Sequence, residues 1–333
     1  MTTTAAGGTL DEAVRAIGDH EGGYIVATHQ NPDGDAIGSL LAFTRLLRAQ
    51  GRDVVMWHPH VPAVPGDLAF LLQRDEVVSA ELPADAGDRL LIALDCASES
   101  RLTGGAELRS LAGSIVNIDH HHDNGRFGDV NHIDAAASSA SEIVAVLAER
   151  AGWPITREVA EPLHVGIVTD TGRFSYSNVT PATFAVAGRL AATGIDIAEL
   201  GRRLYENTPL ANARLLGTAL AGARSLLGGR LLVGVLTADD FALAGTDETD
   251  GIAEALRGVG GVVVSASIRP VEGGQRVSLR ASDSRVDVSD IAHLQGGGGH
   301  RAAAGLTMAG DPDAVVAWLE DEVGRRLDAG APE

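Results

Sequence analysis

Cysteine is nearly missing: Cys96 is the one example in 333 residues. An internal disulfide framework is therefore excluded, and the chain suits a reducing, cytoplasmic setting. Aromatic residues amount to only 4% while hydrophobic residues reach 45%, so the cores must be built mainly from Ala, Val and Leu. Basic residues are outnumbered, 26 Lys and Arg against 45 Asp and Glu, for a formal net charge of −19. A protein that coats long DNA or RNA carries a basic face, so this balance argues against extended duplexes as partners. A small anionic substrate stays open, because bound divalent metal supplies positive charge locally. There is no polybasic patch for a membrane surface and no run of about 18 apolar residues to span a bilayer. The opening MTTTAAGGTLDEAVRAIGDH lacks the basic start and apolar core of a signal peptide.

What the chain does have is an alternation of apolar bursts with amphipathic stretches, the pattern of an α/β fold. Its length fits two domains. TLDEAVRAIGD (9–19) reads as a helix opened by a capping box of Thr9 and Glu12. YIVATH (24–29), DVVMW (53–57), RLLIALD (89–95) and SIVNID (114–119) read as strands, and residues 34–49, 138–152, 157–172 and 180–194 as helices, the last closed by Gly194. Residues 195–227 read as helical and carry arginines. The style then changes to strands divided by glycine-rich turns, GRLLVGVLT (229–237), GGVVVSASIRP (260–270) and QRVSLRAS (275–282), with helical pieces at 248–257 and 311–328. The expected organisation is a parallel-sheet domain over 1–189, a helical connector over 190–212 and a smaller α/β domain over 213–333, with a cleft between the two domains.

Three of the first four strands end in metal-competent residues: His29, Asp95, and Asp119-His120-His121. In an open α/β sheet, ligands bind at the carboxyl ends of the strands. Adding Asp33 and Asp35 from the NPDGD turn and Asp170 from VTDTG collects four carboxylates and two imidazoles, His29, Asp33, Asp35, Asp95, His120 and Asp170, with no thiolate needed. Such a set suits hard divalent cations. A carboxylate bridging two ions holds them about 3.5–4 Å apart, the spacing used in phosphoester hydrolysis. The tight NPDGD turn would aim Asp33 and Asp35 at two neighbouring ions, with His29 completing one of them. Singly, each residue has a plainer reading: Asp-Gly as a turn, Asp95 as a helix N-cap before Ser98 or Glu99, Asp170 as a turn former. Their conjunction at several strand ends of one region is what points to chemistry.

The order and spacing of HQNPDGDAIGS (29–39), LDCA (94–97), IDHHHDN (118–124) and VTDTGRF (168–174) resemble the DHH phosphoesterase superfamily, and GGGGHRAAAG (296–305) resembles the glycine-rich motif of the DHH-associated C-terminal domain. The resemblance runs from about residue 10 to 325 and is strongest to the nano-RNase and pAp-phosphatase group, which includes stand-alone cyclic-di-AMP phosphodiesterases. It implies two Mn²⁺, with Mg²⁺ or Co²⁺ as substitutes: one held by His29, Asp33 and Asp95, the other by Asp35, Asp95, His120 and Asp170, with Asp95 bridging. It implies that His121 lies beside the scissile phosphate and that Asp119 orients a histidine. His122 is assigned a surface position. Gly297, Gly298, Gly299 and His300 are implied to grip the distal nucleotide, the glycines opening a turn before RAAAG, which reads as the start of a helix, while Arg280 in the strand VSLRAS offers a bidentate fork for phosphate.

Arg301 reads equally as a solvated helix charge. Ser138 and Ser139 read as an N-cap, with Glu142 as the box partner of Ser139, more than as phosphate donors. Asn131 and Arg173 belong to matching segments with no assigned role, and Tyr205 reads as a packed helix aromatic. The implied activity is metal-dependent hydrolysis of short nucleotides, namely oligoribonucleotides, linear or cyclic dinucleotides such as cyclic-di-AMP, and pAp, to nucleoside 5′-monophosphates by a homodimer. The alternatives are a pyrophosphatase or RecJ-like exonuclease of the same superfamily, and a catalytically silent nucleotide sensor.

Overall fold

The structure, a computed structural model, describes residues 8–59, 63–102, 108, 113–283 and 285–329. The first seven residues, whose composition bears on the signal-peptide reading, lie outside them. The chain divides into two compact units, Met1–Asn207 and Thr208–Glu333.

The first unit opens with helix α1 (Leu10–Gly18), whose capping box forms as read: Thr9 Oγ1 accepts from Glu12 N–H and the Glu12 carboxylate accepts from Thr9 N–H. Strands β1 (Tyr24–Ala27), β2 (Val54–Trp57), β3 (Val78–Ser79), β4 (Leu90–Leu94), β5 (Ser114–Asp119) and β6 (Val130–Ile133) form one sheet in the order β3-β2-β1-β4-β5-β6, every pair parallel. A parallel sheet is covered on both faces, so its central strands are apolar throughout; YIVA and LLIAL are fully buried. Helices α2 (Gly34–Ala49), α3 (Ala140–Ala151), α4 (Arg157–Asp170), α5 (Pro181–Ala192) and α6 (Ile197–Tyr205) complete the unit. Strand order reverses between β1 and β4, which makes the space past their carboxyl ends the topological switch point where open α/β sheets bind ligands.

Helices α2 and α4 cross closely because they meet through glycines. A Cβ at Gly38 would stand 2.4 Å from the Pro162 carbonyl, and one at Gly166 would stand 2.0 Å from Ser141 Oγ and 2.7 Å from an Asp35 carboxylate oxygen.

The second unit holds α7 (Leu210–Ala221), β7 (Arg224–Leu226), β8 (Leu231–Val235), α8 (Ala238–Ala244), α9 (Ile252–Arg257), β9 (Val264–Val271), β10 (Gly274–Ala281), α10 (Val288–His293), β11 (Gly298–His300), β12 (Ala303–Met308) and α11 (Pro312–Ala329). Its strands form a mixed sheet in the order β11-β12-β10-β9-β8-β7, in which only β8 and β9 run parallel. The α/β reading holds for both halves. Two local expectations fail. Arg224–Leu226, at the end of the stretch read as helical, form strand β7 paired with β8. RAAAG does not start a helix; it enters β12, paired antiparallel to β11 and β10. Alanine favours helix only until tertiary pairing outweighs it, and here alternate residues Ala304 and Leu306 are buried while Gly299 takes φ +145°, which a helix forbids. Among the described residues no helix is long and apolar enough to cross a membrane.

Candidate metal centre

His29 and Asp95 stand just past the ends of β1 and β4, the two strands that flank the switch point, and His120 follows β5. Backbone strain marks two of the turns: Asn31 and Asp95 take φ +54° and +53°, in the left-handed region that costs a non-glycine residue energy. The positive φ turns Asp95 off the strand instead of into a helix cap. Asp33 is the N-cap of α2, its Oδ1 accepting from the N–H groups of Asp35 and Ala36 at 3.1 Å each. Asp35 lies inside the first turn of α2, buried. Its two oxygens accept from Ala140 N–H at 2.6 Å and Ser141 N–H at 2.9 Å, at the start of α3. Helix N-termini carry partial positive charge, so this buried carboxylate is held between two of them. Asp170 closes α4.

Asp95 is the hub. Its Oδ2 lies 3.5 Å from His29 Nε2 and its Oδ1 lies 3.4 Å from His120 Nε2. His29 Nε2 is also 4.0 Å from Asp33 Oδ1, and His120 Nε2 is 3.6 Å from Asp170 and 4.0 Å from Asp35. Among the described residues the donors gather into three overlapping groups, each within 4.8 Å: His29 with Asp33 and Asp95, Asp35 with His120 and Asp170, and Asp95 with Asp119, His120 and His121. Two ligands about 2.1 Å from one cation and at right angles stand about 3 Å apart, so these separations exceed good hydrogen bonds and approach those of atoms sharing an ion. Asp95 Oδ1 is buried with no hydrogen-bond partner, a costly state that a cation would relieve. The donor set of carboxylate oxygens and imidazole nitrogens fits divalent metal, and the cluster can hold it.

The electrostatics say the same. Burial opposes charge on His29 and His120, but the close, negatively charged Asp95 carboxylate, with Asp33 beside His29 and Asp35 and Asp170 beside His120, outweighs it and lifts the imidazoles to about 9 and about 10. Burial and the neighbouring carboxylates push Asp35 up to about 7 and Asp170 up to about 8. For Asp95 burial is overcome by the two imidazoles, which hold its carboxyl well below the usual range.

A second layer fixes the ligands. His29 Nδ1 sits 2.7 Å from the Gln30 carbonyl, which leaves Nε2 facing the carboxylates. His121 Nδ1 lies 2.8 Å from Asp119 Oδ1, while Asp119 Oδ2 accepts from Asn124 at 2.5 Å. Asn124 also donates to Asn117 Oδ1 and the Cys96 carbonyl, and Asn117 donates to the carbonyls of Ala93 and Cys96. The reading of the sequence passed over Asn117 and Asn124; an asparagine inside an otherwise apolar strand was the available signal. Burial opposes charge on His121, and its bond to Asp119 raises it regardless.

The remaining residues fall as follows. His122 is exposed. Ser139 is the N-cap of α3, its Oγ accepting from Glu142 N–H, but the Glu142 carboxylate reaches Ser138, accepting from its N–H and Oγ, instead of closing a box on Ser139. Asn131 braces the Gly128 turn by two hydrogen bonds. Arg173 stacks its guanidinium 3.7 Å over the Tyr205 ring. In the second unit, Arg280 and His300 flank Ala303 in one cross-strand row, and Gly297, Gly298 and Gly299 precede His300, whose side chain lies outside the described atoms. Arg280 is not free: its Nε donates to Glu254 at 2.6 Å.

Residues 24–167 match the DHH family N-terminal domain and residues 232–323 match the DHHA1 domain. The chain is 38% identical over 301 residues to the bifunctional oligoribonuclease and PAP phosphatase NrnA of Thermus thermophilus, covering 90% of this chain and 87% of that one. It is 29% identical to the Bacillus subtilis protein of the same description, over 93% and 97% of the two chains. Among solved structures, an exopolyphosphatase-related protein of Bacteroides fragilis superposes with a TM-score of 0.87 at 23% identity, over 98% of each chain. RecJ of Thermus thermophilus in complex with Mn²⁺ superposes with a TM-score of 0.55 at 18% identity, over 95% of this chain and 55% of that one. Two domain matches in the right order, full-length relatives and a strand-end cluster of carboxylates and imidazoles converge: the chain is a phosphoesterase belonging to the DHH family.

Proposed function

We propose that this protein is a two-metal phosphodiesterase of short nucleotides, acting on oligoribonucleotides, on linear or cyclic dinucleotides such as cyclic-di-AMP, and on pAp. The observation that carries the reading is Asp95, a buried carboxylate whose Oδ2 faces His29 at 3.5 Å while its Oδ1 faces His120 at 3.4 Å and His121 at 3.6 Å. One carboxylate shared between two donor groups is the arrangement that holds two cations side by side. In this reading His29, Asp33 and Asp95 hold one ion and Asp35, Asp95, His120 and Asp170 the other. Mn²⁺ is favoured over Mg²⁺ by the imidazole ligands, with Co²⁺ a further substitute, and RecJ, of similar fold, has been solved with Mn²⁺. The substrate class follows the relatives, described as oligoribonucleases and PAP phosphatases.

Bound metal would supply an activated water at neutral pH and neutralise charge that builds on the phosphoryl oxygens. The protein's own residues do the rest. Asp35 is kept in place by two backbone N–H groups. His121, aligned by Asp119, presents its other ring nitrogen to stabilise or protonate the leaving oxygen. Arg280 and Gly297, Gly298, Gly299 and His300 take the remainder of the substrate, Arg280 as a guanidinium fork for phosphate. A homodimer is part of the proposal by resemblance.

The test is product formation from pApA, cyclic-di-AMP and pAp with Mn²⁺, wild type beside Asp35→Ala, Asp95→Ala and His300→Ala. AMP from the wild type, a loss of at least about 10³-fold in the aspartate variants, and a KM effect larger than the kcat effect for His300→Ala are expected. Tight binding of a nucleotide without turnover would replace the hydrolase by a sensor.

A further inference from the structure

The sheet of the second unit has one face buried in its own core, through Val264, Ala266, Ile268, Val277, Leu279, Ala304 and Leu306. The residues between them occupy the opposite face. Read across β9, β10 and β12, that face has three consecutive rows: Ser265, Arg280, Ala303; then Ser267, Ser278, Gly305; then Arg269, Arg276, Thr307. Strand β11 extends the first two rows with His300 and Gly298. The middle row carries nothing larger than serine, so it forms a flat floor with arginine at both ends. At the Arg280 end the floor is bounded by α9, where Ser265 Oγ donates to the Ala253 carbonyl and Arg280 donates to Glu254.

The other end is unexplained by folding. Arg269 and Arg276 are direct cross-strand partners, and like charges placed opposite each other destabilise a sheet. Among the described residues neither has an acidic partner, in a chain with 45 Asp and Glu and a net charge of −19, whose 26 basic residues are all arginine. Nor does Arg276 point away. Its guanidinium lies over the floor, with Nη2 only 2.7 Å from where a Cβ on Gly305 would stand. Gly305 is what lets it lie flat and lean along the strand toward the row of Arg280 and His300. Arg276 is exposed.

We infer that Arg269 and Arg276 form a second anion-binding end of this shelf, taking the terminal phosphomonoester of a short nucleotide that lies across the Ser267–Ser278–Gly305 floor. The inference rests on the nucleotide reading above and adds a phosphate-specific subsite about 13 Å along β10 from Arg280. Two forked guanidiniums suit a dianionic phosphate better than a diester monoanion. The row itself carries no side chain larger than serine; Ser267 is buried, Ser278 and Gly305 are half-buried, and the Arg276 guanidinium lies over the Gly305 end.

The experiment is calorimetry on the full chain in EDTA, so that no metal ion at the centre of the first unit competes for phosphate. The probes are AMP, adenosine and inorganic phosphate. Wild type should bind AMP more tightly than either fragment. Arg269→Gln with Arg276→Gln should weaken AMP about 10- to 100-fold and leave adenosine affinity where it was. Gly305→Ala, which keeps both charges but displaces the Arg276 guanidinium, should weaken AMP as well. Relief of the like-charge pair predicts an unchanged or higher melting temperature for the double glutamine variant, so a weaker AMP affinity cannot be assigned to unfolding. Equal affinity of the double variant and wild type for AMP, or wild-type AMP affinity no better than that of adenosine or phosphate, overturns the inference. AMP binding that depends on both arginines in a protein that cleaves no nucleotide would instead sink the hydrolase reading and leave the subsite standing.

Discussion

At the scale of single residues, the centre is a set of groups that fold into mutual repulsion unless positive charge is present. Asp35 and Asp170 are raised to about 7 and about 8, so from about pH 4 upward the folded chain holds protons that the unfolded chain has released, and stability falls as pH rises through those values. His29 and His120 are raised to about 9 and about 10; their contribution is fully present below about pH 6.5 and is lost as pH rises through the folded values. Both trends have the same sign. Metal-free protein should therefore melt at progressively lower temperature between about pH 6.5 and 9, and the increase in melting temperature on adding Mn²⁺ should grow over the same interval. Thermal melts in EDTA and in Mn²⁺ check this; an increase that shrinks with pH contradicts the assignment. Asp95→Asn keeps the shape but removes the charge shared by His29 and His120. It should abolish most of the Mn²⁺-dependent increase in melting temperature, read in the same melts.

At the scale of elements, the centre depends on how closely α2, α3 and α4 pack. A methyl at Gly166 would collide with Ser141 Oγ and an Asp35 oxygen, and one at Gly38 with the Pro162 carbonyl. Gly38→Ala should cost about 1–3 kcal/mol of stability, the usual range for overpacking. Gly166→Ala should do the same and also lower metal affinity, because the displaced atom belongs to a ligand; chemical denaturation and metal titration separate the two outcomes. The loops after β4 and β5 are tied together by Asn117 and Asn124. Asn124→Ala leaves Asp119 short of a buried donor, at about 1–3 kcal/mol, and should reduce kcat more than KM, since it loosens His121 and not a substrate contact. These braces were poorly legible in the sequence. Capping at Thr9 and Ser139 was readable because it is local, three residues apart. The contact from Asp35 to Ala140 and Ser141 was not, because it joins residues more than a hundred apart. RAAAG was misread for the same reason: alanine's local preference was visible and its two strand partners were not.

At the scale of the whole molecule, two units carry separate cores, one running through α2, β1, β4 and α4, the other through β9, β10, β12 and α11. Among the described residues the candidate metal ligands all lie in the first. Ligand binding stabilises the unit that binds it by mass action, so calorimetric unfolding should show two transitions, of which Mn²⁺ raises one. A single transition that moves as a whole would show the units to be cooperative.

The sequence by itself determined the α/β class, the position of most strands and helices, and the candidate ligands His29, Asp33, Asp35, Asp95, His120 and Asp170, because apolar periodicity and strand-end acids are properties of short segments. Only the tertiary structure decided that β1 and β4 are neighbours at the point where strand order reverses, which is what sets His29 and Asp95 face to face. It also decided that the oxygens of Asp95 face His29, His120 and His121, and that Arg269 and Arg276 stand directly opposite each other beside a row of serine and glycine. Those facts depend on pairing between segments distant along the chain, and no local pattern encodes which strands will lie side by side.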